Sequence, residues 1–225
     1  MLLEATRDTS RRWAGVLAFR LAAGVLTVLA ACGSLMLVHV AFGNTIAGLD
    51  RRVADGVYEL SSRWPVVLWS AHVASFLGST VWLTGVVAGV AWYLVRRDQH
   101  RRSVLLVAVV LGGVVINKTI KRIIDRGRPD FDDALAHAAG SSFPSGHAMN
   151  SMVVYGMLLT LGWWQWDPGL RRRLVVTGAV LVLAIAASRV ALGVHYLSDV
   201  TAGLLLGLVW IASLTHLRRR SGAVG

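Results

Sequence analysis

SVLLVAVVLGGVVINKTIKRIIDRGRP, residues 103–129, begins as an apolar run and ends in a cluster of cations. The run 103–122 is long enough to cross the hydrocarbon core of a bilayer, which takes about 20 apolar residues. Lys121 and Arg128 then follow at the membrane boundary, where a charge is costly and by default marks a functional site. Such a segment delivers fixed positive charge to one face of a membrane.

Five further apolar spans lie around it, at 20–42, 66–95, 147–164, 174–193 and 196–216. With 225 residues, 55% hydrophobic, and a mean hydropathy of +0.60, the chain reads as a single all-α domain over residues 1–225. The architecture expected is an integral membrane six-helix bundle. Span 66–95 is too long for one straight crossing, so Gly78-Ser79-Thr80 is expected to break it into a short outer helix and a span near 78–95. Residues 44–63 carry Leu49, Val53, Val57 and Leu60 at near-helical spacing, which predicts an interfacial amphipathic helix.

The net charge of +11 would suit a nucleic-acid binder, but the cations are grouped between apolar runs, the pattern of cytoplasmic loops. No nucleic-acid partner is therefore expected. With the N-terminus inside, thirteen Arg fall on the inner face: Arg7, Arg11, Arg12, Arg96, Arg97, Arg101, Arg102, Arg171 to Arg173 and Arg218 to Arg220. Nine Lys and Arg fall outside, and six of these lie in or beside motifs that explain them, leaving Arg51, Arg52 and Arg63. The bias puts both termini in the cytoplasm and the motifs on the extracytoplasmic side. Trp13, Trp92, Trp163, Trp164 and Trp166 fall near the inner ends, as an aromatic belt does. Arg outnumbers Lys 21 to 2 with much Ala, Val and Gly, which suggests a GC-rich bacterium and so a multi-pass protein of the bacterial cytoplasmic membrane.

Cys32 is the one cysteine, which excludes an internal disulfide and a thiolate metal cluster. Leu29-Ala30-Ala31-Cys32 resembles a lipoprotein cleavage box. The apolar run nevertheless continues through Leu35 to Phe42, longer than the roughly 7–15 residues of a signal core, so a retained span is expected.

Two further motifs join the 121–129 cluster. Pro144-Ser145-Gly146-His147 precedes the fourth span, with a helix-capping serine, a glycine that lets backbone N–H groups approach a ligand, and a histidine. A helix start there offers unpaired N–H donors to a phosphate oxygen. Ser188-Arg189 ends the fifth span, and His195 and Asp199 follow at i, i+4, expected to share a helical face at the start of the sixth. The carboxylate can hold one ring nitrogen and leave the other free to attack. Lys121, Arg128 and Arg189 can hold an oxyanion, His195 attack, and His147 move a proton, which fits phosphoryl transfer. Lys118, one turn before Lys121, can share its face; Lys118 and Arg122 otherwise read as headgroup contacts. Asp130, Asp132 and Asp133 read as a solvated loop, and no metal site is expected. His39, His72, His100, His137 and His216 have no partner by spacing.

Taken in order, the motifs resemble the signature of the type 2 phosphatidic acid phosphatase superfamily, Lys-x6-Arg-Pro, Pro-Ser-Gly-His and Ser-Arg-x5-His-x3-Asp, with every defining position matched between 121 and 199. The resemblance implies a membrane phosphatase that needs no cofactor and no metal and hydrolyses a lipid phosphate monoester or diphosphate through a phosphohistidine. It implies His195 as nucleophile, Asp199 as its orienter and His147 as the acid that then activates water. Lys121, Ser145, Gly146, Arg128 and Arg189 would bind the phosphoryl group. The partners are a phosphorylated lipid of undecaprenyl diphosphate, phosphatidylglycerol phosphate or phosphatidic acid type, and the bilayer. A lipid phosphotransferase and a non-catalytic phospholipid binder are the alternatives; six apolar spans argue against the soluble vanadium haloperoxidases of the same superfamily.

Overall fold

The computed structural model describes residues 2–131, 135–163 and 165–221, with the side chains of 2–12, 34–42 and 215–221 excepted. Among the described residues there are seven helices and no strand. In chain order they are α1 (Leu2–Arg63), α2 (Pro65–Leu77), α3 (Thr80–Arg96), α4 (His100–Ile124), α5 (Gly146–Gly162), α6 (Pro168–Ala191) and α7 (Leu197–Ser221).

Four stretches are long and apolar enough to cross a membrane: Trp13–Gly33, His100–Ile124, Pro168–Ala191 and Leu197–Leu214. The pair α2 and α3 makes a fifth, bent by 42° at the expected Gly78-Ser79 break, where Ser79 caps α3 by accepting from the Trp82 N–H. The expectation of six spans is not met by length, because α5 has only 17 residues. A second difference concerns 44–63, which continues α1 without a break at Gly43. Its inward face is also not the one expected. Asp50, Ala54 and Ser61 are buried and Val53 and Val57 pack on α6 and α7, while Leu49 and Leu60 stay exposed. Packing against protein has replaced packing on a membrane surface.

Helix ends follow from capping. Asp167 accepts hydrogen bonds from the Gly169 and Leu170 N–H groups, with Pro168 in the first turn, so α6 starts at 168 rather than 174. Arg171 to Arg173 are thereby carried on its first turns. Cations and aromatics meet at this end of the bundle, with the Arg171 guanidinium 4.6 Å from the Trp163 ring centroid and that of Arg96 6.0 Å from Trp92. Trp164 lies outside the described residues.

Leu106 and Val109 of α4, Met149 and Val153 of α5, and Leu206 and Trp210 of α7 form the centre of the core. The Trp210 indole N–H donates to the Val109 carbonyl at 2.9 Å, so this buried polar group is satisfied. In a bilayer, tails are as apolar as leucine, so close backbone approach has to hold helices together. Gly203 and Gly207 supply it on one face of α7. A Cβ at Gly203 would stand 2.7 Å from the Ser145 carbonyl oxygen, and one at Gly207 2.9 Å from that of Met149. This small-xxx-small pair presses α7 onto the start of α5.

Gly203→Ala should therefore lower stability by about 1–3 kcal/mol, the usual cost of overpacking, since backbone atoms have to move. Thermal unfolding in detergent checks it, with Gly85→Ala, which meets nothing within 4 Å, as the control. Equal melting temperatures for the two variants would show that the helix contact is not tight.

Candidate active site

Four helix ends converge at the end of the bundle remote from Arg171. α4 stops at Asp125, which adopts the left-handed conformation with φ 38°, one that aspartate tolerates better than most residues. The following turn is clasped by a second loop: the Arg126 N–H donates to Ser141 Oγ, and the Ser142 hydroxyl to the Gly127 carbonyl. That second loop passes through a cis Phe143–Pro144 bond into α5.

Arg128 is fixed by carbonyl oxygens. Its Nε donates to Gly140, one terminal nitrogen to Val194 at 2.6 Å, and the other to Ala139 and Ser141. Lys121 donates to the Ser141 carbonyl at 2.5 Å. Arg189 is 6% exposed and donates to Ser75 Oγ of α2, while its Nε has no partner. Ser145 stands at the N-cap of α5, but its side chain does not cap; Oγ is fully buried and unpaired. Unpaired donors beside fixed cations leave hydrogen-bonding capacity for an oxyanion.

His195 and Asp199 meet, although not on a shared helical face. α6 ends before Gly193, whose φ of +70° reverses the chain with the Tyr58 and Phe131 rings against its Cα. His195 falls in the turn, and α7 begins only at Leu197. Asp199, in the first turn of α7, reaches back to accept from the Tyr196 N–H at 2.9 Å, half of a capping box. The same oxygen lies 3.5 Å from His195 Nδ1, longer than an ordinary hydrogen bond.

The tautomer follows from the partners. An arginine donates only, so the 3.2 Å contact from Arg128 makes His195 Nε2 an acceptor. The ring proton is then on Nδ1, facing Asp199, and the Nε2 lone pair faces the cations. Burial holds the His195 imidazole down to about 4 from the ordinary 6.5; Asp199 pulls it up, and Arg128 and Arg189 push it further down. Burial also lowers Arg128. His147 stands within reach of the charges of Arg189, His195, Arg128 and Lys121. It packs on Gly78 at the α2–α3 elbow, where an added Cβ would meet its ring at 3.3 Å.

Lys121, Arg128, Ser145, Gly146, His147, Arg189, His195 and Asp199 are thus brought to one place. Lys118 and Arg122 are exposed and stand apart, as headgroup contacts would. His72 and His137 are exposed, and His100 lies 3.8 Å from Asp98. The side chains of His39 and His216, and all of Asp132 and Asp133, lie outside the described residues. Among the described residues no three His, Cys, Asp or Glu side chains are grouped to hold a metal ion.

Arg126, Asp50, Ser198 and Ser75 also belong to the site, although none stands at a defining position of the three motifs. Arg126 lies 2.7 Å from Asp199 Oδ1 with one arm and 2.8 Å from Asp50 Oδ2 with the other. Burial acts to lower the Arg126 guanidinium, yet the bonds to Asp50 and Asp199 prevail and raise it. Its signal was its place inside the cation cluster. Asp50 offered a fainter one, an acid between Leu49 and Val53 on a helix read as amphipathic.

The sequence model of the PAP2 superfamily matches residues 102–223. Phosphatidylglycerophosphatase B of Bacillus subtilis (strain 168) is 30% identical over 182 residues, 78% of this chain and 86% of that one. Decaprenylphosphoryl-5-phosphoribose phosphatase of Mycolicibacterium smegmatis is 32% identical, covering 62% of this chain and 72% of that one. The fold is similar to the crystal structure of a transmembrane PAP2 type phosphatidylglycerolphosphate phosphatase from Bacillus subtilis, with a TM-score of 0.74 and 24% identity over 88% of this chain and 98% of that chain.

Because the folded His195 value lies below the unfolded one, the unfolded chain binds a proton first as pH falls. The contribution to stability is full above pH 6.5 and is lost progressively toward pH 4. In a sample with ring-nitrogen labelling, the His195 resonances should titrate near pH 4. A midpoint at 6.5 would show that the ring is neither buried nor crowded by the arginines.

Proposed function

The chain belongs to the PAP2 superfamily, and on that footing we propose that it is an integral membrane phosphatase acting on a lipid phosphate through a phosphohistidine intermediate. The observation that carries this reading is the His195 ring, its Nδ1 turned to Asp199 and its Nε2 turned to Arg128 among Lys121 and Arg189. Lys121, Arg128 and Arg189, with Ser145 Oγ and the Gly146 N–H, hold the phosphoryl oxygens. Arginine's planar fork suits two of them at once, and lysine adds a point charge. The His195 Nε2 lone pair attacks phosphorus, and the bond to the lipid oxygen breaks. Once the bound phosphate offsets the cations of Arg189, Arg128 and Lys121 around it, His147 takes up a proton and gives it to the leaving oxygen. Water then attacks the phosphohistidine, His147 takes its proton, and phosphate leaves with Nε2 restored.

The fixed charges also support a mechanism without metal. Asp50 and Asp199 are already engaged by Arg126, and three cationic side chains stand where a metal would neutralise the phosphate. The substrate class follows from placement. The site sits where apolar helices end, so a lipid can present its phosphate while its tail stays in the bilayer. The substrate is a lipid phosphate monoester or diphosphate, of undecaprenyl diphosphate, phosphatidylglycerol phosphate or phosphatidic acid type, and the relative named phosphatidylglycerophosphatase B supports the second of these. Residues 1–225 act as one unit, since α1 packs on the site at Asp50. The charge bias of the loops supports a site on the extracytoplasmic face of a bacterial cytoplasmic membrane, with the termini inside.

Rapid quench with labelled lipid phosphate, in the presence of EDTA, tests the chemistry. His195→Ala should abolish the phosphoenzyme for every substrate. His147→Ala should impair a lipid alkoxide leaving group far more than an activated aryl phosphate, which needs little protonation. A phosphoenzyme persisting in His195→Ala reverses the assignment, and loss of activity in chelator that magnesium restores removes it.

Sidedness is tested separately. In a Cys32→Ala background, cysteine at Ala138 should react with an impermeant thiol reagent in intact cells, and cysteine at Gln99 should not. The opposite labelling puts the site in the cytoplasm.

A further inference from the structure

Asp50 belongs to α1, outside the 102–223 stretch that matches the family, yet it is 2% exposed and fully engaged. Its Oδ1 accepts from the Ser198 N–H at 2.9 Å. Its Oδ2 accepts from Arg126 at 2.8 Å and from the Ser198 hydroxyl at 2.5 Å. Arg126 in turn donates to Ser198 Oγ and Asp199 Oδ1, both at 2.7 Å, and lies over the Tyr196 ring at 4.5 Å. The guanidinium is therefore held from α1, from the turn before α7 and from α7 itself.

Buried ion networks rarely repay their desolvation, so one placed behind a reacting group needs a reason other than stability. We infer that Asp50 and Arg126 are positioning residues for the reaction at His195, forming a relay of Asp50, half-buried Arg126, Asp199 and His195 that runs from α1 to the imidazole ring. The inference rests on the nucleophilic role proposed for His195.

Arg126 engages Asp199 Oδ1, which leaves Oδ2 to the Tyr196 N–H and to His195 Nδ1. The imidazole is thus aligned by one oxygen, not two. Charge is the second function. When Nε2 bonds to phosphorus and Nδ1 keeps its proton, the ring becomes cationic, and a carboxylate behind it stabilises that charge. Arg126 alone would cancel Asp199. Asp50 offsets Arg126, so the relay keeps one net negative charge behind the ring. The other groups acting on His195 are Arg128 from the loop after α4, Arg189 of α6 and His147 of α5. Two are fixed cations and the third is a histidine, so the relay is what opposes them.

Asp50→Asn keeps the shape of the side chain and removes its charge. Single-turnover phosphoenzyme formation should slow about tenfold, the equivalent of one pKa unit of lost support for the imidazolium. KM should be unchanged, because Lys121, Arg128 and Arg189 are untouched. The acidic limb of the rate should move to lower pH, since His195 beside a less negative relay gives up its proton more readily. A merely structural role would lower the melting temperature or the active fraction and leave that limb in place, so an unmoved limb overturns the inference. Ser198→Ala provides a second arm if Asp50→Asn does not fold. It keeps every charge and removes the hydroxyl joining Asp50 to Arg126, so it should slow phosphoenzyme formation at unchanged KM; the wild-type rate there overturns the inference too. A wild-type chain that forms no phosphoenzyme with any lipid phosphate sinks the phosphatase reading and the relay together. A wild-type chain that does, matched by Asp50→Asn in rate and pH limb, sinks the relay alone.

Discussion

Four cationic side chains, Lys121, Arg126, Arg128 and Arg189, are wholly or partly withdrawn from solvent at one end of an apolar bundle, against two buried carboxylates, Asp50 and Asp199. Two positive charges are left over. Like charges in a medium of low dielectric repel strongly, and each loses hydration on burial. The arrangement holds because every cation is met by oxygen: carbonyls for Lys121 and Arg128, a hydroxyl for Arg189, carboxylates for Arg126. What the carbonyls cannot do is neutralise. An excess of two charges is what a dianion, such as the phosphate of the proposed substrate, would offset.

The same constraint explains the loops. The segment after α4 and the segment before α5 do little for the core, yet they are bonded to one another through Ser141 and Ser142 and to the arginines through their carbonyls. Carbonyl oxygens turned inward to hold arginine cannot form regular helix, so the chain stays irregular here. The short α5 fits this pattern. Its start is fixed by the Ser145 N–H donating to the Asp199 carbonyl, and its length is what remains before the chain turns near Trp163.

His195 shows how position in a fold changes chemistry. In water its ring would be half protonated near pH 6.5 and a poor nucleophile below it. Buried beside arginines, it stays neutral at physiological pH, and Arg128 and Asp199 select the tautomer with a free Nε2. These are effects of surroundings drawn from α4, α6 and α7 at once, and none is a property of the 188–199 segment alone.

Much of this was legible in the sequence for local reasons. Apolar runs of membrane length mark α4, α6 and α7, because a backbone in a bilayer has to satisfy its own hydrogen bonds and so becomes helical. Gly78-Ser79 marked the α2–α3 bend, and the three motifs contain the eight candidate residues that the fold brings together. Periodicity could not tell which face of 44–63 turns inward, because Leu49 and Leu60 are as apolar as Val53 and Val57, and only the presence of α6 and α7 decides. Nor could an i, i+4 spacing reveal that His195 sits in a turn, since Gly193 ends the helix before it. Asp50 and Arg126 lie 76 residues apart, and their pairing is the clearest case. A charge pair of that separation has no sequence signal, because what unites the two is the shared cost of burial in the folded chain.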